Sequence, residues 1–321
     1  MQERKKYIDL AKTMAIFFVV FGHTIELTKI NETLMGRLDL IAYTLHVPAF
    51  LFASGFLLQK SVKKYNVRQF FLMKFFNLFV VWVIWSVILT IWNMGIDYIF
   101  GQYTGNIKAY INYSANEIWY FAFLFVGSMF VFVIENIKIN KYLCTISLCV
   151  AFIILSFYSV TLAKVVLHLL IIWCGYNFKG FTKLSARLVI IVYIIMMLYI
   201  NISGCLTLKS IGDLGFGTMG LLGIKLLSCF CLPTVAYLMM EADNKMIKSK
   251  EQIYTNIGKN TLYIYILHFF PLAVYKCIKN TSLILALISV LFFIVISMFV
   301  RHFIKDTKID KFLFTPYQNK H

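Results

Sequence analysis

Charge is scarce in this chain: Asp, Glu, Lys and Arg make up 14% of its 321 residues, against 60% hydrophobic ones. Soluble globular domains average about 25% charged and about 45–50% apolar, so the composition excludes an ordinary water-soluble fold. Acids are the scarcest, 14 against 31 Lys and Arg, which leaves a formal net charge of +17. That excess does not mark a nucleic-acid binder, whose basic residues gather in patches on a soluble domain. Here they fall in short clusters between apolar runs, as in loops that flank a bilayer. No Gly/Ser linker or charged low-complexity segment divides the chain, and it shows no internal repeat of the transporter type. The cysteines (Cys144, Cys149, Cys174, Cys205, Cys229, Cys231 and Cys277) lie mostly inside apolar runs. Their spacings match neither a zinc knuckle nor a disulfide framework. They read as small packing residues, and no metal is expected. The basic start "MQERKKYIDLAK" leads into a long apolar run without a small-residue cleavage site, so a retained first span is expected.

What the chain has in abundance is apolar runs. A spanning helix needs about 20 mostly apolar residues. Ten candidates emerge, at roughly 8–27, 38–58, 70–93, 118–134, 142–160, 162–178, 187–203, 219–240, 260–278 and 283–303. The division at 160–163 leaves a very tight turn. With the N-terminus in the cytoplasm, the inside segments carry 20 Lys and Arg and the outside connections seven. This positive-inside bias puts both termini in the cytoplasm and requires an even number of spans. The expectation is an all-α, polytopic integral membrane protein of the plasma (inner) membrane, with about ten transmembrane helices. A single membrane-embedded domain covers 1–321, ending in a short basic cytoplasmic tail at 304–321. The longest other extramembrane pieces are 94–117 and 204–218.

Against this background the first run, "AIFFVVFGHTIEL", raises a chemical question, because an ionisable side chain in lipid marks a functional site by default. Lys12 and His23 are eleven residues apart, about 16 Å and close to three whole turns, so they point the same way. Asp9 lies one turn before Lys12, and Glu26 one turn after His23. The span thus presents a polar stripe with a cation at its cytoplasmic end and an imidazole further out, although Lys12 alone could simply snorkel to the interface. In the second run, "YTLHVPAFLFASGFLL", His46 is followed by Pro48, Ser54 and Gly55; the proline is expected to kink the helix and open room for polar groups. His268 follows Asn260 and Thr261 in "NIGKNTLYIYILHFF". His168, in "KVVLHLLIIW", has no polar company in its run and reads as a packing residue; His302 and His321 read as solvated. Imidazole suits taking a proton from a hydroxyl near neutral pH, and a buried cation suits phosphate recognition.

These residues together resemble the membrane acyltransferase-3 family. Its signature, an arginine or lysine, ten intervening residues and a histidine, matches Lys12 and His23 in "YIDLAKTMAIFFVVFGHT". "LHVPAFLFASGFLL" is similar to the family's second span, "EIWYFAFLFV" to its fourth, through Trp119, and "IGKNTLYIYILHFF" to a late segment, through Gly258, Tyr265 and His268. Thr13 stands where a glycine is usual and Thr261 where serine is common. The third span, "MKFFNLFVVWVIWS", lacks the frequent arginines and retains only Lys74 as a basic residue; the hydrolase-like domain appended in some members is not expected here.

The resemblance implies transfer of an acyl group, most often acetyl, from acyl-CoA to a hydroxyl of a polysaccharide or lipid-linked glycan of the cell envelope. On that reading Lys12 and Lys74 bind the donor's phosphates. His23 is the base or a transient acyl carrier, Asp9 and Glu26 orient Lys12 and His23, and His46, Ser54, Trp119 and His268 contact substrate. The aromatic segment "DYIFGQYTGNIKAYINYSANEIWY" is either a sugar platform or an interfacial aromatic belt. Two other readings remain, a non-catalytic translocator of glycans or lipids and an acyltransferase-like sensor.

Overall fold

The computed structural model describes residues 6–28, 31–202, 223–242, 247, 249–278 and 282–317, and these contain no strand. The expected outer segment 204–218 lies outside the described residues.

The first half of the bundle comprises α1 (Lys6–Ile25), α2 (Glu32–Lys64) and α3 (Val67–Ile99). A short α4 (Ile107–Glu117) precedes α5 (Trp119–Ile137), and then come α6 (Lys141–Tyr158), α7 (Val160–Asn177) and α8 (Lys183–Ile202). Beyond the undescribed stretch lie α9 (Gly223–Glu241), α10 (Glu251–Lys259), α11 (Thr261–Leu267) and α12 (Phe269–Lys276). The long α13 (Leu283–Ile304) and the short α14 (Lys308–Phe314) complete the chain.

Polar residues between the runs begin these helices by accepting the amides that a first turn leaves unpaired. Asn31 accepts from Thr33 and Leu34, Asn66 forms a capping box with Gln69, and Asn140 accepts from Tyr142 and Leu143. Ser159 alone separates α6 from α7, ending one and capping the other, which is the tight turn the sequence demands.

Among the described residues eight helices are long and apolar enough to cross a membrane: α1, α2, α3, α5, α6, α7, α9 and α13. The run expected as the ninth span, 260–278, is divided at His268 into α11 and α12, and Asn260 separates it from α10 before it. Pro271 supplies the reason for the break at His268, since it has no amide to bond the carbonyl of Leu267 four residues back. The expected basic tail is not wholly loose. Its α14 docks on α3: Phe314 is 1% exposed, Trp85 donates its indole N–H to the carbonyl of Leu313 (2.8 Å), and Tyr263 donates to Asp310 (2.8 Å).

Helices α1 and α2 are central, each 67% buried over its spanning window, whereas α6 is 17% buried and peripheral. α1 packs against α2, α9, α10, α11 and α13. Without a hydrophobic drive between helices in lipid, close approach depends on small residues. A methyl on Gly55 of α2 would overlap the carbonyl oxygen of Ile172 on α7, one on Gly175 of α7 that of Phe52, and one on Gly258 of α10 that of Asp9 on α1. Thr13, where the related pattern favours glycine, uses its hydroxyl to join the same α1–α10 contact, donating to the carbonyl of Tyr254 (2.7 Å).

Pro48 lies inside α2, which remains one continuous helix across it. The carbonyl of Thr44, deprived of its amide partner by Pro48, accepts from the hydroxyl of Ser228 on α9. A neighbouring helix thus supplies the missing donor in a place with no water to do so. Removing that donor alone, by Ser228→Ala, should destabilise the protein by about 1–3 kcal/mol, the cost of a buried polar group left unmet. Pro48→Ala restores an amide at position 48, so the double variant should lose clearly less than Ser228→Ala does. Thermal unfolding of all four proteins in detergent measures the coupling; additive effects would contradict this pairing.

Candidate active site

The helices enclose a cavity of about 370 Å³. Regular faces line it. From α1 come Lys12, Val19 and His23, and from α2 Tyr43, His46, Val47, Phe50, Ser54 and Leu57, both sets spaced by one, two or more helical turns. α5 adds Trp119, Tyr120 and Leu124, with Glu117 from the end of α4. Lys164 and His168 project from α7, one turn apart, and Lys225 from α9. Lys259, Thr261, Leu262 and Tyr265 close the remaining side.

Of the residues expected to form the site, Lys12, His23, His46, Ser54 and Trp119 meet in this one space. His268 stands behind His23, its ring 5.6 Å away and nearly parallel, at 29°. Asp9 is 3% exposed and sits at the α1–α10 contact, not among the lining residues. Glu26 is likewise outside the lining, and its carboxylate accepts from the Tyr43 hydroxyl. Tyr43 in turn lies edge-on to both His46 (4.8 Å between ring centres) and His23 (6.3 Å), so Glu26 reaches the histidines through that phenol. Lys74 lies outside the lining too; its ammonium stands 5.5 Å from the centre of the Phe70 ring. The second ammonium beside Lys12 is Lys259, at the C-terminus of α10 where Gly258 meets Asp9.

The histidines are oriented by their own helices. His46 Nδ1 bonds the carbonyl of Ala42 (2.5 Å) and His268 Nδ1 that of Ile264 (3.0 Å). A carbonyl can only accept, so each ring carries its proton on Nδ1 and leaves Nε2 with a lone pair. His268 is fully buried, and its Nε2 has no hydrogen-bond partner among the described residues. His23 makes ring contacts with Tyr43, His268 and Phe269 while opening onto the cavity. Ser54 and Tyr120 share a hydrogen bond (3.0 Å), and the Tyr265 hydroxyl donates to the carbonyl of Glu117 (3.0 Å), bracing the far wall. Among the described residues no three His, Cys, Asp or Glu side chains are grouped to hold a metal.

His168 departs from its reading as packing. It lines the cavity and stacks on Trp119, 5.3 Å between ring centres at 19°. A signal was present in the sequence, since Lys164 lies four residues earlier on the same helical face. Lys225 carried no such local signal, because its neighbours in the cavity belong to other helices.

The architecture is that of a multi-pass helical membrane protein with a cation- and histidine-lined chamber between its spans. The chain belongs to the acyltransferase-3 family: residues 5–302 match its acyltransferase domain. No curated protein and no solved structure gave a match. Membership identifies a membrane acyltransferase.

At the rim, Glu117 accepts from Tyr113 one turn earlier. Burial pushes its carboxyl up from 4.5 to about 6; Tyr113 opposes the rise, Glu26 adds to it by repulsion, and Lys276 opposes it. A carboxyl that binds its proton more tightly when folded lowers stability as pH rises from its unfolded to its folded pKa, by at most about 2 kcal/mol here. The penalty is absent below about 4.5 and complete above about 6. Glu117→Gln should therefore gain in unfolding midpoint relative to the parent across that interval and level off above it. A difference that does not vary with pH would contradict the burial-driven shift.

Proposed function

We propose that the protein transfers an acyl group, most simply acetyl, from cytoplasmic acyl-CoA to a hydroxyl of an envelope polysaccharide or lipid-linked sugar. The observation that carries this reading is the opening of Lys12 and His23 onto one chamber, on the same face of α1. The positive-inside bias puts the start of α1, and both termini, in the cytoplasm of the cell bounded by this membrane. Ten crossings follow if α8 and the divided run α11–α12 span as well. Lys12 and Lys259 then face the donor, where two ammonium groups suit the phosphates of CoA.

His23 removes the proton of the acceptor hydroxyl as its oxygen attacks the thioester carbonyl. The C–S bond breaks, and the imidazolium returns that proton to the departing thiolate. The neighbouring His268 offers a lone pair and no N–H towards its surroundings at Nε2, which favours a positive charge on an adjacent ring. His46 and Tyr43, in direct ring contact and with Glu26 behind Tyr43, position the acceptor. Trp119 and His168 present stacked faces on which a sugar ring can pack.

Purified protein in proteoliposomes, supplied with radiolabelled acetyl-CoA and candidate envelope glycans, tests the reading. Label should pass to the glycan. His23→Ala should lower the rate by at least about 100-fold, while Lys12→Gln should raise the donor KM by about tenfold. Glycan crossing the bilayer without gaining label would favour a translocator and overturn the proposal.

A further inference from the structure

The cavity has a second pair of cations besides Lys12 and Lys259. Lys164 on α7 and Lys225 on α9 both line it, and their charges act on one another. Both line the cavity beside His168, Lys164 one turn before it on α7, with His46 in the same lining. This cluster lies at the end of the chamber marked by Tyr43, Glu117 and Trp119, whereas Lys12 and Lys259 lie at the α1–α10 contact near Asp9. Lys12 is about 16 Å along α1 from His23, so the two pairs approach the imidazole from opposite sides.

The acids at the same end each have a partner other than these lysines, although one oxygen of Glu117 is without a hydrogen bond. Glu26 holds Tyr43, Glu117 holds Tyr113, and Asp97 accepts from Tyr110 (2.8 Å) with Lys276 3.9 Å away. Asp39 is the carboxylate whose field reaches Lys225, and it does not line the cavity. Among the described residues neither Lys164 nor Lys225 has a carboxylate within ion-pair distance. Two cations placed together in a low-dielectric chamber repel one another and lose hydration, a cost that an anionic ligand between them offsets.

The geometry points to an acceptor that carries a negative charge, a carboxylate or phosphate group seated between Lys164 and Lys225, with the reacting hydroxyl directed towards His23 and the sugar face on Trp119 and His168. This rests on the acyl-transfer reading for the identity of the reaction, but the anion site stands or falls on its own measurement.

The test is binding of three matched trisaccharides to the detergent-purified full chain by calorimetry: one neutral, one ending in a uronic acid and one in a sugar phosphate. Both anionic probes should bind at least about tenfold more tightly than the neutral one, with the preference shrinking as salt is raised. The two anionic arms distinguish carboxylate from phosphate as the better fit. Lys164→Gln/Lys225→Gln should abolish the preference; Lys164→Arg/Lys225→Arg, which keeps the charge, should retain it and controls for folding. Lys12→Gln should leave it unchanged. Equal binding of all three probes, no saturable binding of either anionic one, or a preference that survives loss of both lysines would overturn the inference. His23→Ala separates the two claims: it should lose transfer and keep the charge preference. A protein that prefers the anionic probes but never transfers label would refute the acyl-transfer reading alone.

Discussion

Backbone contact at Gly55–Ile172, Gly175–Phe52 and Gly258–Asp9 sets how near α1, α2, α7 and α10 come to one another. Everything in the chamber depends on that spacing. In hydrocarbon, helices gain nothing from hiding leucines that lipid tails already solvate, so association rests on dispersion and on how closely backbones can approach. Where glycine removes the side chain, two helices touch; a turn or more away, larger residues hold them apart. The chamber lies between these contacts, its walls formed by the polar face of α1 and by aromatic residues of α2 and α5.

The same dry surroundings explain how its polar groups are held. A buried carbonyl or imidazole without a partner is costly, and this chain supplies partners from nearby. His46 and His268 each bond a carbonyl one turn back on their own helix. Ser228 takes up the carbonyl that Pro48 leaves free, and Gln59 of α2 donates to the carbonyls of Tyr176 (2.7 Å) and Phe178 (2.9 Å) where α7 ends. Among the described residues the buried polar atoms without a hydrogen-bond partner are scattered through the bundle, from Asn177 and Thr234 to Tyr275, and include the Nε2 of His268 and one oxygen of Glu117 beside the chamber.

Much of this was legible from residue spacing. Lys12 and His23 had to share a face because eleven residues is nearly three turns, and they do open onto the same cavity. The one-residue turn at Ser159 followed from two apolar runs with almost nothing between them. Pro48 was legible as a residue that frees a carbonyl one turn back, but the hydroxyl that takes up that carbonyl comes from a helix some 180 residues later. The break at His268 had a sequence signal in Pro271, three residues on, which the reading of 260–278 as one span passed over. Glu26 was assigned from its spacing along α1 and Lys74 from the family resemblance, while their neighbours in space, Tyr43 and Phe70, were not evident from either.

The sequence by itself determined that the chain is helical and membrane-embedded, where most spans run, and that α1 carries a cation and an imidazole on one side. Those properties follow from hydropathy and helical periodicity, which are local. Only the tertiary structure decided which other side chains meet that face: His168 and Lys164 from α7, Lys225 from α9 and Lys259 from α10. Their convergence depends on which helices pack together and at what rotation, and those are set by backbone contacts between residues more than a hundred positions apart, to which no local period responds.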